Sequence, residues 1–191
     1  MELQKLNVKF FVEQPNSLAL TEFIEIFHRW IQASEGAYHD VADYSHMHAG
    51  PGIVLVSQDA HISIDESGNR RGLLFSQKSR LNGTNQEKLR QVIQAALQNC
   101  RSLEAEPGLK GKLRFAANEA VLSVNDRLLA ANSEASFEAI QNDVRTVAAQ
   151  LFGGAAVQME RDGDPRQRLN VHIKASAPLD VTQALENLAR H

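Results

Sequence analysis

The chain has 191 residues, of which 43% are apolar and 23% charged; this ordinary globular composition excludes disorder throughout and allows roughly 70% of the unfolded surface to be buried. A net charge of −3, with short basic stretches at 69–72 and 110–114, argues against a nucleic-acid partner, which needs a basic stripe to neutralise phosphates. One cysteine, Cys100, permits no internal disulfide, the start of the chain alternates rather than running apolar, and no apolar run approaches the ~20 residues of a membrane span, so a cytoplasmic protein is expected.

Residues 6–12 (LNVKFFV) have strand periodicity: Leu6, Val8, Phe10 and Val12 share one face, and Asn7, Lys9 and Phe11 the other. Pro15 ends the pattern. Residues 20–33 switch to helical spacing, with Leu20, Phe23, Ile24, Phe27, Trp30 and Ile31 in one apolar stripe, and Gly36 is a plausible stop. Strands are expected at 38–44, at 53–65 as one long or bent element, and at 70–77 after a turn at ESGN. Residues 84–106 form the clearest helix, opened by the capping-box pair Thr84 and Glu87.

The segment 106–112 (EPGLKGK) is a candidate hinge. Residues 112–124 read as a hairpin turning at Asn118-Glu119, and 125–134 as loop. A helix follows at 135–154, then a hairpin over 155–175 about DGDP, and a last helix at 179–191 with Asp180 as N-cap. Hairpins beside helices give an α+β class, with antiparallel sheet covered on one face. The halves 1–106 and 112–191 could be two lobes or one continuous domain.

The stretch HDVADYSHMHAGPG (39–52) concentrates polar chemistry. If it is extended, His46 and His48 share a face and could reach one metal ion, but Asp40 would lie ~20 Å from His46. If it is helical, His39, Asp43 and His46 share a face instead. The same residues also suit a polar strand and a Gly-Pro-Gly turn, whose glycines allow close backbone approach. His28, at the edge of the helix stripe, fits a half-buried polar group. Asn125, Asp126 and Arg127 suit turn chemistry, and the acids of RDGDPR match a calcium loop only faintly.

At FHRWIQ (27–32), DVADYSH (40–46) with GPG (50–52), and VNDRL (124–128), the chain resembles a family of bacterial proteins of about this length to which no activity is assigned. The resemblance takes in His28, Asp40, Tyr44, His46 and the glycines, but not His39, His48 or His61. Each metal-ligand set above requires one of those three.

The reading that follows is a binding or accessory protein without catalysis of its own, no cofactor, and a small molecule or protein as partner. Its site would form near residues 28–52. Trp30 and Tyr44 would supply apolar contact, His28, Asp40 and His46 directional polarity, and Gly50 and Gly52 close approach. One alternative is a metal-assisted hydrolase drawing on His39, Asp43, His46 and His48, with Asp43 or Asp40 as base. Another is a self-associating protein, such as a homodimer joined through hairpin edges.

Overall fold

The computed structural model describes residues 1–190. Strand β1 (Leu6–Val12) is followed by helix α1 (Glu22–Ala33), strands β2 (Tyr38–Tyr44), β3 (Gly52–Ser57), β4 (Ala60–Asp65) and β5 (Gly72–Gln77), and helix α2 (Asn85–Ala105). The second half supplies β6 (Phe115–Val124), α3 (Glu134–Leu151), β7 (Val157–Arg161), β8 (Leu169–Ala175) and α4 (Val181–Ala189). The fold is α+β. All eight strands join one antiparallel sheet in the order β2-β3-β4-β5-β1-β6-β8-β7.

The two halves therefore share a sheet. β1 pairs with β5 of the first half and β6 of the second. The candidate hinge is a set of turns whose Leu109 is buried, with Glu106 accepting from Arg29 and Trp30 of α1.

The core lies between the sheet and its helices. Leu6, Val8, Phe10 and Val12 of β1 join Ile53, Ile64, Leu73, Leu122 and Ile173 in one apolar layer. Phe23 and Phe27 of α1, Leu89 to Leu103 of α2, and apolar residues of α3 and α4 pack onto it. The capping box at Thr84 and Glu87 opens α2, and Asp180 with Gln183 opens α4 in the same way. Cys100 sits on the packed face of α2, and burial pushes its thiol pKa well up, as suits a small inert core side chain.

Two elements differ from the periodicity. Residues 53–65 are a tight hairpin, turned by Gln58-Asp59 and closed by Ser57, whose hydroxyl accepts from Ala60 N and donates to its carbonyl. A serine closure replaces the glycine or asparagine that such a turn normally announces. Residues 115–124 are one strand rather than a hairpin, and the expected turn is a bulge. Phe10 opposes Ala120 while Phe11 opposes Ala116, and the extra residues are held by Ala117 N donating to Leu179 O and Asn118 donating to Ala175 O.

Gly52 enters β3 at φ +62, and a Cβ there would collide with the Ile64 carbonyl oxygen. Gly36 also has positive φ (+85) but faces open space. Gly36→Ala should cost about 1 kcal/mol for its backbone alone, and Gly52→Ala distinctly more. Urea unfolding of the two variants checks the order; equal losses would contradict the packing described for the Gly-Pro-Gly turn.

Candidate functional site

Among the described residues all four α-helices pack on one side of the sheet, leaving the other side without an α-helix. The side chains there are largely polar on β4, β5, β1, β6 and β8, with Leu74, Phe11 and Val121 among them. Reading across β4, β5, β1, β6 and β8, one row runs His61, Ser76, Asn7, Ser123, Asn170. The next runs Ser63, Leu74, Lys9, Val121, His172. At ~4.8 Å per strand, each row spans about 19 Å.

Loops convert the middle of this face into a cleft of about 630 Å³, floored by Asn7, Lys9 and Phe11. One wall is the turn 65–70. Lys9 Nζ donates to Asp65 Oδ2 and to the Ser67 carbonyl (3.0 Å), while Ser67 donates to the same carboxylate. Both partners of the Lys9–Asp65 pair are buried, and burial pushes the Lys9 pKa down against the pull of Asp65. Arg70 lies 3.7 Å over the Phe11 ring and grips Glu119 with two nitrogens, at 2.6 and 3.3 Å. Those bonds hold the Glu119 carboxyl below its usual range.

The opposite wall is the loop 162–168. Asp162 accepts from Asn170 (2.7 Å) and meets His172 Nε2 at 3.0 Å. Asn132, itself buried, donates to the Asp162 and Asp164 carbonyls and so anchors this loop to the start of α3. On the floor, Asn7 is 3% exposed and its Oδ1 is enclosed without a hydrogen-bond partner among the described residues. In the same row, His61 Nδ1 is enclosed and equally unpartnered.

The residues singled out from the sequence separate onto different surfaces. His28 is exposed on α1. Trp30 packs between Phe27 and Tyr38 at 5.6 and 6.4 Å, and its Nε1 donates to Glu106 at 2.6 Å. Tyr38 reaches that side because the β2–β3 register shifts between Tyr38 and Asp40, a bulge at His39. Beyond the bulge, Asp40 and Tyr44 turn to the helix-free face, so Trp30 and Tyr44 are on opposite sides of the sheet. Asp40 aligns with the row of Asn7 but four strands away, about 19 Å.

His46 and His48 lie exposed in the turn after β2, and Gly50 and Gly52 are buried where that turn enters β3. His48 lines a smaller cleft of about 330 Å³ that shares Arg70 with the larger one. The helical ligand set does not form, because β2 is extended. Asp43 is occupied by Ser45, whose hydrogen bonds hold its pKa down. Among the described residues no three His, Cys, Asp or Glu side chains, His39, Asp43, His46 and His48 included, are grouped to hold a metal ion. No protein-family model and no curated protein matches the chain.

Sequence reasoning did not single out Asn7, Lys9, Asp65, Arg70 or His172 as site residues. The available signal was a polar pair alternating inside β1, a strand otherwise apolar enough to be central.

Two outcomes follow from these contacts. Lys9→Met and Asp65→Asn should each destabilise by about 3 kcal/mol, and the double variant should lose less than the two together by about 1–3 kcal/mol. Strictly additive losses in a urea double-mutant cycle would show that the pair is not a unit. Burial, then the charge of Lys78, depresses the His61 pKa. The folded chain thus sheds that proton more readily than the unfolded chain, and the stability involved is present at neutral pH and lost on acidification. His61→Gln should flatten the fall in unfolding free energy as the pH drops below about 6.5. An unchanged slope would contradict this origin.

Proposed function

We propose that the chain is a binding protein for a small polar molecule, without a chemical step of its own, and that its site is the cleft on the helix-free face. The observation that carries this reading is Asn7. An enclosed acceptor without a partner costs about 1–3 kcal/mol, and native chains keep few such groups. A valine would suit the centre of a strand better. A buried asparagine there is explained by a ligand donor toward which its side-chain amide turns, bringing the enclosed Oδ1 to the cleft that Asn7 lines and completing its hydrogen bonding.

Three further features support the reading. The volume falls in the range of small-molecule sites. The two walls are braced independently of any ligand, by Lys9, Asp65 and Ser67 on one side and Asn132 on the other. Asp40 and Tyr44 stand on the same side of the sheet at the β2 edge, beyond Val54 and Val56 of β3. No helix of the described chain is long and apolar enough to cross a membrane, and the single buried thiol fits a reducing compartment such as the cytoplasm.

Asn7→Val tests the proposal. The variant should keep the native circular dichroism spectrum, gain about 1 kcal/mol of unfolding free energy, and lose the thermal stabilisation that polar metabolites give the original chain. A variant that is less stable, yet still stabilised by the same compounds, would assign Asn7 a purely structural role.

A further inference from the structure

The ligand's charge follows from which cleft groups already have partners. Three permanent cations line the cleft, Lys9, Arg70 and Arg168, and three carboxylates stand by them: Asp65 and Asp162 in the lining, and Glu119, which holds Arg70. Lys9 is matched by Asp65 and Arg70 by Glu119. The neighbouring arginines are committed too: Arg71 to Glu66, Arg161 to Asn132 and Glu134, and Arg166 to Asp164. Arg168 has no ion-pair partner within 4.0 Å among the described residues, although it stands on the wall loop that Asn132 anchors. Asp162 is already engaged by Asn170 and His172, so Arg168 is the one charged group lining the cleft that has no side-chain partner among the described residues.

A guanidinium presents a planar fork of donors that matches a carboxylate or a phosphate. The floor makes the complementary demand. Asn7 Oδ1 is an acceptor and calls for a hydroxyl or amine donor. Asn7 and Asn170 lie two strands apart, about 10 Å, and Arg168 is two residues beyond Asn170 with a side chain long enough to reach back over the cleft.

Resting on the binding reading above, we propose that the cleft takes a small hydroxylated organic anion, its negative group paired with Arg168 and a hydroxyl donating to Asn7. Arg168 sets the preference for charge, and Asn7 holds the polar body.

Isothermal titration of the full chain with gluconate, glucose phosphate and neutral glucose at millimolar concentration separates the two roles. Gluconate or glucose phosphate should bind at least about tenfold more tightly than glucose, a difference of about 1.4 kcal/mol. Whichever anion prevails identifies the negative group as carboxylate or phosphate. Arg168→Gln should remove that advantage and leave glucose affinity unchanged, Arg168→Lys should restore part of it, and Asn7→Val should weaken all three. Equal affinity for glucose and both anions, or anion binding that survives Arg168→Gln while Asn7→Val abolishes it, overturns the anion assignment and leaves the binding reading standing. Binding of none of the three, or binding indifferent to Asn7→Val, overturns both.

Discussion

The central strand must bury both of its faces while helices cover only one side of the sheet, and the rest of the structure answers that constraint. β1 sends Leu6, Val8, Phe10 and Val12 into the helix-covered core. Its other face carries Asn7, Lys9 and Phe11, which are also buried. A one-residue slip of register would exchange the two sets, placing an ammonium in the apolar layer. The pairing of β1 with both β5 and β6 is therefore strongly specified, and it fastens the two halves of the chain to each other.

Satisfying the polar face of β1 without a helix shapes the cleft. A buried ammonium is tolerated only with a matched partner, which β4 supplies through Asp65. Phe11 is covered by the flat guanidinium of Arg70, itself held by Glu119 on β6. These contacts fold the turn 65–70 over one flank, and Asn132 draws the loop 162–168 over the other. The cleft is what remains between two loops, each fastened for its own electrostatic or hydrogen-bonding reason. Asn7 is the one member of the β1 polar face whose Oδ1 the surrounding protein leaves unsatisfied.

Much of the fold was legible where local chemistry and tertiary context agree. The alternation of β1, the capping boxes of α2 and α4 and the apolar stripe of α1 all describe elements that form as written. The two misreadings have different causes. Ser57 closes its turn locally and without glycine, through Ala60 three residues on, whereas Asn118-Glu119, which looks like a turn, is held as a bulge by partners far away in the chain, Ala175, Arg70 and Lys174. Long-range partners decided that second segment. The same holds for the site. The polar faces of β1 and β8 were each visible as alternation, but only the order β5-β1-β6-β8 merges them into one surface. The bulge at His39 worked the opposite way, separating Trp30 from Tyr44, which sequence proximity had grouped.

The central claim is that the helix-free face, rather than the helix side or the histidine turn, meets the ligand. Side-chain amide NMR tests it directly. Asparagines report from both sides of the sheet: Asn7 and Asn170 in the cleft, Asn99 and Asn187 on the helices. Titration with gluconate should move the Asn7 and Asn170 resonances and leave those of Asn99 and Asn187 in place. Shifts confined to the helix-side amides, or to the backbone around His46 and His48, would contradict the account.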